Sequence, residues 1–281
     1  MDGAEFQFRG RGFRMLTQRT VEIDGIQLAA YECGAGSPVL FVHGFPLNHS
    51  MWREQFEACK DRRVIAVDLR GFGASEASLG TVSMDRFAAD LHETLDQLGV
   101  REPVVFVGLS MGGYIAWPFL KQRPGRVRAF VLANTRVIAD DEKGAETRRQ
   151  TAQKVLDRGV DVIEDQMLEK LFSPTTRKEN PAAVESARGM IRQARPAGVA
   201  GALLGMAERP DVSDRLESLS IPTLVIAGDD DAIASPTEME GFARAIPNSV
   251  FVRIASAGHM TPMENPKEFN EALAKFLEGL S

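Results

Sequence analysis

The sequence is short of several things that other function classes need. Cysteine occurs only twice in 281 residues, at Cys33 and Cys59, in different expected elements and without metal-ligand spacing. That rules against a disulfide framework or a cysteine metal site, and reduced thiols in a reducing, cytoplasmic compartment are expected. Histidine occurs four times, so any imidazole chemistry falls to His43, His49, His92 or His259. Positive charge is in deficit, 33 Lys and Arg against 39 Asp and Glu for a net charge of -6, which argues against nucleic acid or an anionic membrane as partner. No apolar run is long enough to span a bilayer. The opening stretch MDGAEFQFRGRGFRMLTQ has arginines together with Asp2 and Glu5 but no apolar core, so neither a secretory leader nor a transit peptide is expected there. What is present, 44% hydrophobic and 26% charged residues, is the composition of a soluble globular protein. The length suits one large domain with an insertion, or two modest ones.

The order of patterns favours an α/β fold. Thr20 to Ile23 and Ile26 to Tyr31 flank Asp24-Gly25, a turn pair suited to positive φ, which predicts an N-terminal hairpin. Short β-rich runs follow at Val39 to Val42, Val64 to Val67, Val104 to Val107, Phe130 to Leu132, Thr223 to Ile226 and Val250 to Ile254. Most are continuous rather than alternating, as expected of strands covered on both faces in a mostly parallel sheet. Phe87, Leu91, Leu95 and Leu98 after Ser83, and Phe269, Leu273, Phe276 and Leu280 near the C-terminus, recur at helical spacing and supply covers.

Residues 136 to 220 interrupt this alternation. They hold no convincing strand but several amphipathic, charge-rich helical patterns broken at Pro174, Pro181, Pro196 and Pro210. A block that lets the alternation resume at Ile221-Pro222 is expected at the carboxyl edge of the sheet, where open α/β sheets bind ligands. The expected organisation is a core of residues 1–135 and 221–281 with a helical cap at 136–220; an ordinary helical layer without substrate contact is the plainer alternative.

Gly108-Leu109-Ser110-Met111-Gly112-Gly113 lies between the run Pro103 to Val107 and a helix-like segment. Glycines two positions on either side of Ser110 remove Cβ atoms where backbone crowds, which permits a strained strand-to-helix turn that presents the hydroxyl. A neutral hydroxyl needs a base, and His259 follows the last expected strand, in a loop at a sheet end. His43 is followed by Gly44-Phe45-Pro46, a loop suited to an oxyanion site. Pro46 has no amide hydrogen, so the Phe45 amide is the donor expected from that loop, with the Met111 amide at the helix start as the second. His43 is expected to brace the loop, His92 to pack or lie on a helix surface, and His49 to be a loop residue that could line the pocket. An acid to orient the imidazole is sought at the ends of the other expected strands between Ser110 and His259. Asp229, Asp230 and Asp231 follow a strand there, whereas Leu132-Ala133-Asn134-Thr135 ends another strand without a carboxylate, and Asn134 could orient an imidazole but not stabilise its charge. A loop leaving a strand at Gly228 needs a residue or two to turn, which favours the last of the three.

The blocks VLFVHGFPLNHSMW, VIAVDLRGFGAS, GLSMGG, PTLVIAGDDDAIASP and SAGHMTPMENP, taken in that order, resemble the α/β-hydrolase superfamily, and within it small capped esterases, 3-oxoadipate enol-lactonase-like hydrolases and cofactor-free perhydrolases. The resemblance covers nearly the whole chain outside residues 136–220. It implies Ser110 as nucleophile, Asp231 as acid, His259 as base, and the Phe45 and Met111 amides as the oxyanion hole. It further implies a serine hydrolase acting on a small carboxylic ester or lactone through an acyl-enzyme, with no metal and no organic cofactor. A C–C bond hydrolase of ring-cleavage products, a perhydrolase and a non-catalytic ligand receptor are the alternatives. His49, Trp52 and Met260 are candidates for the substrate pocket. Trp117, Met167, Met190, Met206 and Met263 are further apolar candidates for it, although core packing is the expected fate of most of this apolar set. Pro118, early in the helix after the elbow, removes one backbone hydrogen bond and has no evident functional use.

Overall fold

The computed structural model describes residues 16–280, so the stretch read for a leader lies mostly outside the described residues. Among those described, eight strands form one sheet. They are β1 (Thr17–Ile23), β2 (Ile26–Cys33), β3 (Pro38–Val42), β4 (Arg63–Val67), β5 (Val104–Leu109), β6 (Val127–Ala133), β7 (Thr223–Gly228) and β8 (Ser249–Ile254). Their order across the sheet is β1-β2-β4-β3-β5-β6-β7-β8. β1 pairs antiparallel with β2, and β2 antiparallel with β4, while every later pairing is parallel. The hairpin is closed by Asp24 and Gly25, both at positive φ.

The central strands are continuous in apolar character because both faces are covered. Leu40, Val42, Phe106 and Phe130 point to one cluster, completed by Phe87, Leu91 and Leu95 of α1 (Met84–Gln97) and by α2 (Met111–Gln122). The intervening Val39, Phe41, Val105 and Val131 point to the other, completed by Trp52, Phe56, and Phe269 and Leu273 of the C-terminal helix (Pro266–Glu278). α1 starts where Ser83 Oγ accepts the Arg86 amide at 3.1 Å, a side-chain cap on an otherwise orphaned donor.

Between β6 and β7 stand five α-helices: α3 (Glu142–Arg158), α4 (Asp161–Leu171), α5 (Pro174–Glu179), α6 (Pro181–Gln193) and α7 (Pro196–Ala207). Three of the prolines read as breakers, Pro174, Pro181 and Pro196, open the first turns of α5, α6 and α7, where the missing amide hydrogen costs nothing. The insertion sits on the loops at the carboxyl edge of the sheet. Val82 donates to Gly201 O at 3.0 Å, Arg195 to Gly71 O at 2.9 Å and His259 to Leu171 O at 2.9 Å. After β7 come α8 (Pro236–Ala245), β8, the short α9 (Thr261–Glu264) and α10 (Pro266–Glu278). Among the described residues no helix is long and apolar enough to cross a membrane.

Candidate active site

Ser110 stands at the junction of β5 and α2 with φ 54° and ψ -111°, in the left-handed half of backbone space that a residue with a side chain adopts only under constraint. The glycines around it explain how the turn is packed. A Cβ on Gly108 would meet the Gly112 carbonyl group at 2.6 Å, and one on Gly112 would stand 2.4 Å from Val42 O. The turn is pinned by the Ser110 amide donating to Ala133 O at 2.9 Å and by Thr135 Oγ1 donating to Ser110 O at 2.8 Å. The hydroxyl is less open than the turn alone predicts. Ser110 is 9% exposed, and the loop after β3 lies against it: a Cβ on Gly44 would be 3.5 Å from Ser110 Cβ.

That loop carries Phe45. Its amide has no acceptor among the described residues, and Met111, as the first residue of α2, has no acceptor within its helix. His43 braces the loop as expected. Its Nε2 accepts the Leu69 amide at 3.0 Å, so Nδ1 carries the proton and donates to Gly44 O at 2.9 Å. Complete burial pushes its imidazole down to about 4, which keeps the ring neutral.

Asp231 and His259 meet beyond β7 and β8. His259 Nδ1 lies 2.8 Å from Asp231 Oδ2 and 3.0 Å from Oδ1, with both side chains buried. Asp231 Oδ1 also accepts the Ile233 and Ala234 amides at 2.8 and 2.9 Å, and Oδ2 accepts Asn134 Nδ2 at 2.9 Å. Burial raises the Asp231 carboxyl, but the facing His259, its hydrogen bond, and the Ala234 and Asn134 donors outweigh burial and hold it below the usual carboxylate range. Its two neighbours are both exposed, and Asp229 pairs with Arg253 at 2.8 Å. No hydrogen bond joins Ser110 Oγ to His259 among the described residues. Bonds of this kind commonly tighten only when substrate is bound.

Asn134 is placed differently from its reading as a partner of the imidazole. It ends β6 with φ 47°, is fully buried, and donates to Asp231 and to Gly258 O at 3.2 Å, while its Oδ1 accepts Thr261 Oγ1 at 2.5 Å. It therefore holds the Asp231 carboxylate and ties it to the His259 loop. The sequence shows Asn134 only as a polar strand end; the partners that fix its role lie 97, 124 and 127 residues away.

The pocket candidates His49, Trp52 and Met260 have the following surroundings. His49 stacks on Tyr31 with centroids 3.4 Å apart, and its Nδ1 lies 2.7 Å from the buried Asp68. Among the described residues it has no hydrogen bond to Ser110 or His259. Trp52 is fully buried between Phe41 and Phe269, at 5.2 and 6.0 Å between centroids, and is a core side chain rather than a pocket wall. Met260 is fully buried in the same cluster, which also holds Met190. His92 packs as expected, stacked on Phe119 at 3.8 Å and donating to its carbonyl at 3.0 Å. Pro118 stands inside α2, which continues through it to Gln122.

Residues 37–266 match the family model described as the alpha/beta hydrolase fold. The chain is 42% identical to a thermophilic esterase from Thermogutta terrifontis solved with malate bound, with a TM-score of 0.90 over 95% of this chain and 99% of that one. It is 29% identical to 3-oxoadipate enol-lactonase 2 of Acinetobacter baylyi, over 84% of this chain and 86% of the relative. It is 30% identical to a non-heme chloroperoxidase of Kitasatospora aureofaciens, over 90% and 97%. With the sheet, its inserted helices and the strand-end residues arranged in this way, the chain belongs to the alpha/beta hydrolase fold family.

Proposed function

We propose that this hydrolase is a serine enzyme that cleaves a small carboxylic ester or lactone through an acyl-enzyme on Ser110. The observation that carries the reading is the strained Ser110 backbone at the end of β5, beside which the ends of β6, β7 and β8 bring Asn134, Asp231 and His259 together. In this reaction His259 Nε2 takes the Ser110 proton as Oγ attacks the carbonyl carbon, and the Phe45 and Met111 amides donate to the oxygen that becomes negative. The bond from the carbonyl carbon to the alcohol or ring oxygen then breaks, with the pair of electrons leaving on that oxygen and the proton returning to it from His259. Water repeats the sequence on the acyl-enzyme, releasing a carboxylic acid and restoring the Ser110 hydroxyl. Asp231 holds the imidazole tautomer and stabilises the imidazolium in both halves.

In this reading residues 136–220 form a cap that shapes the acyl site above the core of residues 1–135 and 221–281, and the two-cysteine composition suits a cytoplasmic setting. The substrate is a small molecule rather than a nucleic acid or a membrane lipid, and the chemistry needs neither metal nor organic cofactor. The esterase and enol-lactonase named among the similar proteins support the choice of ester or lactone. The test is stopped-flow hydrolysis of p-nitrophenyl esters from acetate to octanoate. A burst of about one p-nitrophenol per enzyme precedes steady turnover if the acyl-enzyme forms and deacylates slowly. No turnover of any ester in the panel, nor of a small γ- or δ-lactone assayed beside it, contradicts the reading.

The likeness to the non-heme chloroperoxidase motivates a second reading, in which hydrogen peroxide rather than water takes the acyl group and a peracid leaves. Halide oxidation that requires both peroxide and a carboxylic acid or ester supports it.

A further inference from the structure

The loop that carries His259 is held by a carboxylate that follows it in the chain and by the inserted helices. Glu264, the last residue of α9, places Oε1 at 2.9 Å from the Gly258 amide and 3.0 Å from the Met260 amide, the two residues that flank His259. Its other oxygen, Oε2, accepts the Ser173 amide at 2.8 Å, where Ser173 caps α5 in the insertion. One carboxylate therefore gathers three backbone donors, two from the base's loop and one from the inserted helices. Bonds to an ionised acceptor of this kind are the stronger class.

The same loop is gripped from the insertion a second time. Leu171 O, at the end of α4, accepts the His259 amide at 2.9 Å and the Met260 amide at 3.2 Å. Ser173 Oγ donates to Ser256 O at 3.2 Å, and Ser256 itself is held at φ 54°. The fit is close enough to exclude a side chain: a Cβ on Gly258 would stand 2.7 Å from the Ser173 amide nitrogen. The backbone of His259 is suspended between the end of β8 and the α4–α5 junction, with Glu264 as the clasp.

We propose that Glu264 is a positioning residue that couples the inserted helices to His259, so that the imidazole's aim at Ser110 depends on the insertion being seated. The inference rests on the serine-hydrolase reading, because it assigns a consequence to where His259 points. Both Glu264 oxygens are engaged by backbone amides, so the residue acts through the loop and not on the substrate. Displacing a reacting group by about 1 Å can cost on the order of a hundredfold in rate.

The experiment compares the parent with Glu264→Ala and Glu264→Gln. Each is titrated with a fluorophosphonate, so that kcat on p-nitrophenyl acetate is expressed per reactive serine, and each is checked for folding by thermal melting. The expected result is a fall in kcat per titrated site of about 10- to 100-fold in Glu264→Ala with KM within about threefold. Glu264→Gln should lie between, since it keeps one accepting oxygen but presents an NH2 group where a donor already points. A role in stability alone lowers the melting temperature and the titrated fraction but leaves kcat per site unchanged. Should Glu264→Ala fail to fold, the isosteric Gln variant carries the test. Folded variants that keep kcat per site within twofold of a parent that does titrate overturn this inference alone. A parent that takes no fluorophosphonate overturns the serine-hydrolase reading and this inference with it.

Discussion

His259 Nδ1 lies 2.8 Å from Asp231 Oδ2, although the two residues are 28 apart in the chain and sit beyond different strands. An ionised carboxylate only accepts, so the contact puts the ring proton on Nδ1 and leaves Nε2 with its lone pair. Asp231→Asn presents a donor in place of an acceptor and favours the opposite tautomer. The variant is expected to fold and to lose about 10²- to 10⁴-fold in kcat. Asp229→Asn and Asp230→Asn, at exposed positions, should stay within about tenfold of the parent. Steady-state kinetics on the three variants checks this, and a crippled Asp230→Asn beside a mild Asp231→Asn contradicts it.

Asn134→Ala removes the Nδ2 donor to Asp231 Oδ2 and leaves the buried Thr261 hydroxyl and Gly258 carbonyl each short of a partner. Unpartnered buried polar groups cost roughly 1–3 kcal/mol. The expected outcome is a loss of that size in denaturant unfolding, together with a fall in kcat of about tenfold. Unchanged kcat in a folded Asn134→Ala shows that the acid is held without it.

His43 gives a pH signature. Its ring stays neutral in the folded state down to about 4, whereas an unfolded histidine protonates near 6.5. Between those values the unfolded state binds the proton and the folded state does not, so this contribution to stability is full above the unfolded value and is lost as pH falls. His43→Gln should be less stable than the parent at pH 7.5, having lost the fit to the Leu69 amide and Gly44 carbonyl. The gap should narrow by about 2 kcal/mol at pH 5, because only the parent is penalised by proton uptake. Urea unfolding at the two pH values checks it; a constant gap assigns the low value to a cause other than burial of this ring.

Much of the fold is legible in the sequence because its signals are local. The continuous apolar runs locate the core strands, and Asp24-Gly25 locates the hairpin. β6 runs from Val127 rather than Phe130, since a ladder extends to wherever neighbours pair: Val127 and Ala129 pair with Val104 and Val105, and the polar Arg128 between them is accommodated by a shift of register. The elbow at Ser110 is legible for a similar reason: its steric demands are written in Gly108 and Gly112, within two residues of it.

The supporting contacts are not legible, because their partners are distant. Nothing near His49 announces Asp68, and nothing near Glu264 announces Ser173, 91 residues earlier. The surroundings of the apolar pocket candidates are illegible for a different reason. Trp52 is compatible by residue type with either a binding wall or a core, and only the positions of Phe41 and Phe269 around it place it in the core.

The central claim is that Ser110 is the group acylated in turnover. Its most direct test is reaction with a fluorophosphonate followed by mass spectrometry of the digested protein. The account predicts one adduct per chain, on the peptide that contains Gly108 to Gly113, at Ser110. It also predicts that Ser110→Ala takes no label, melts like the parent and loses at least about a thousandfold in kcat. Labelling at another residue, or a folded Ser110→Ala that hydrolyses esters at the parent's rate, contradicts it.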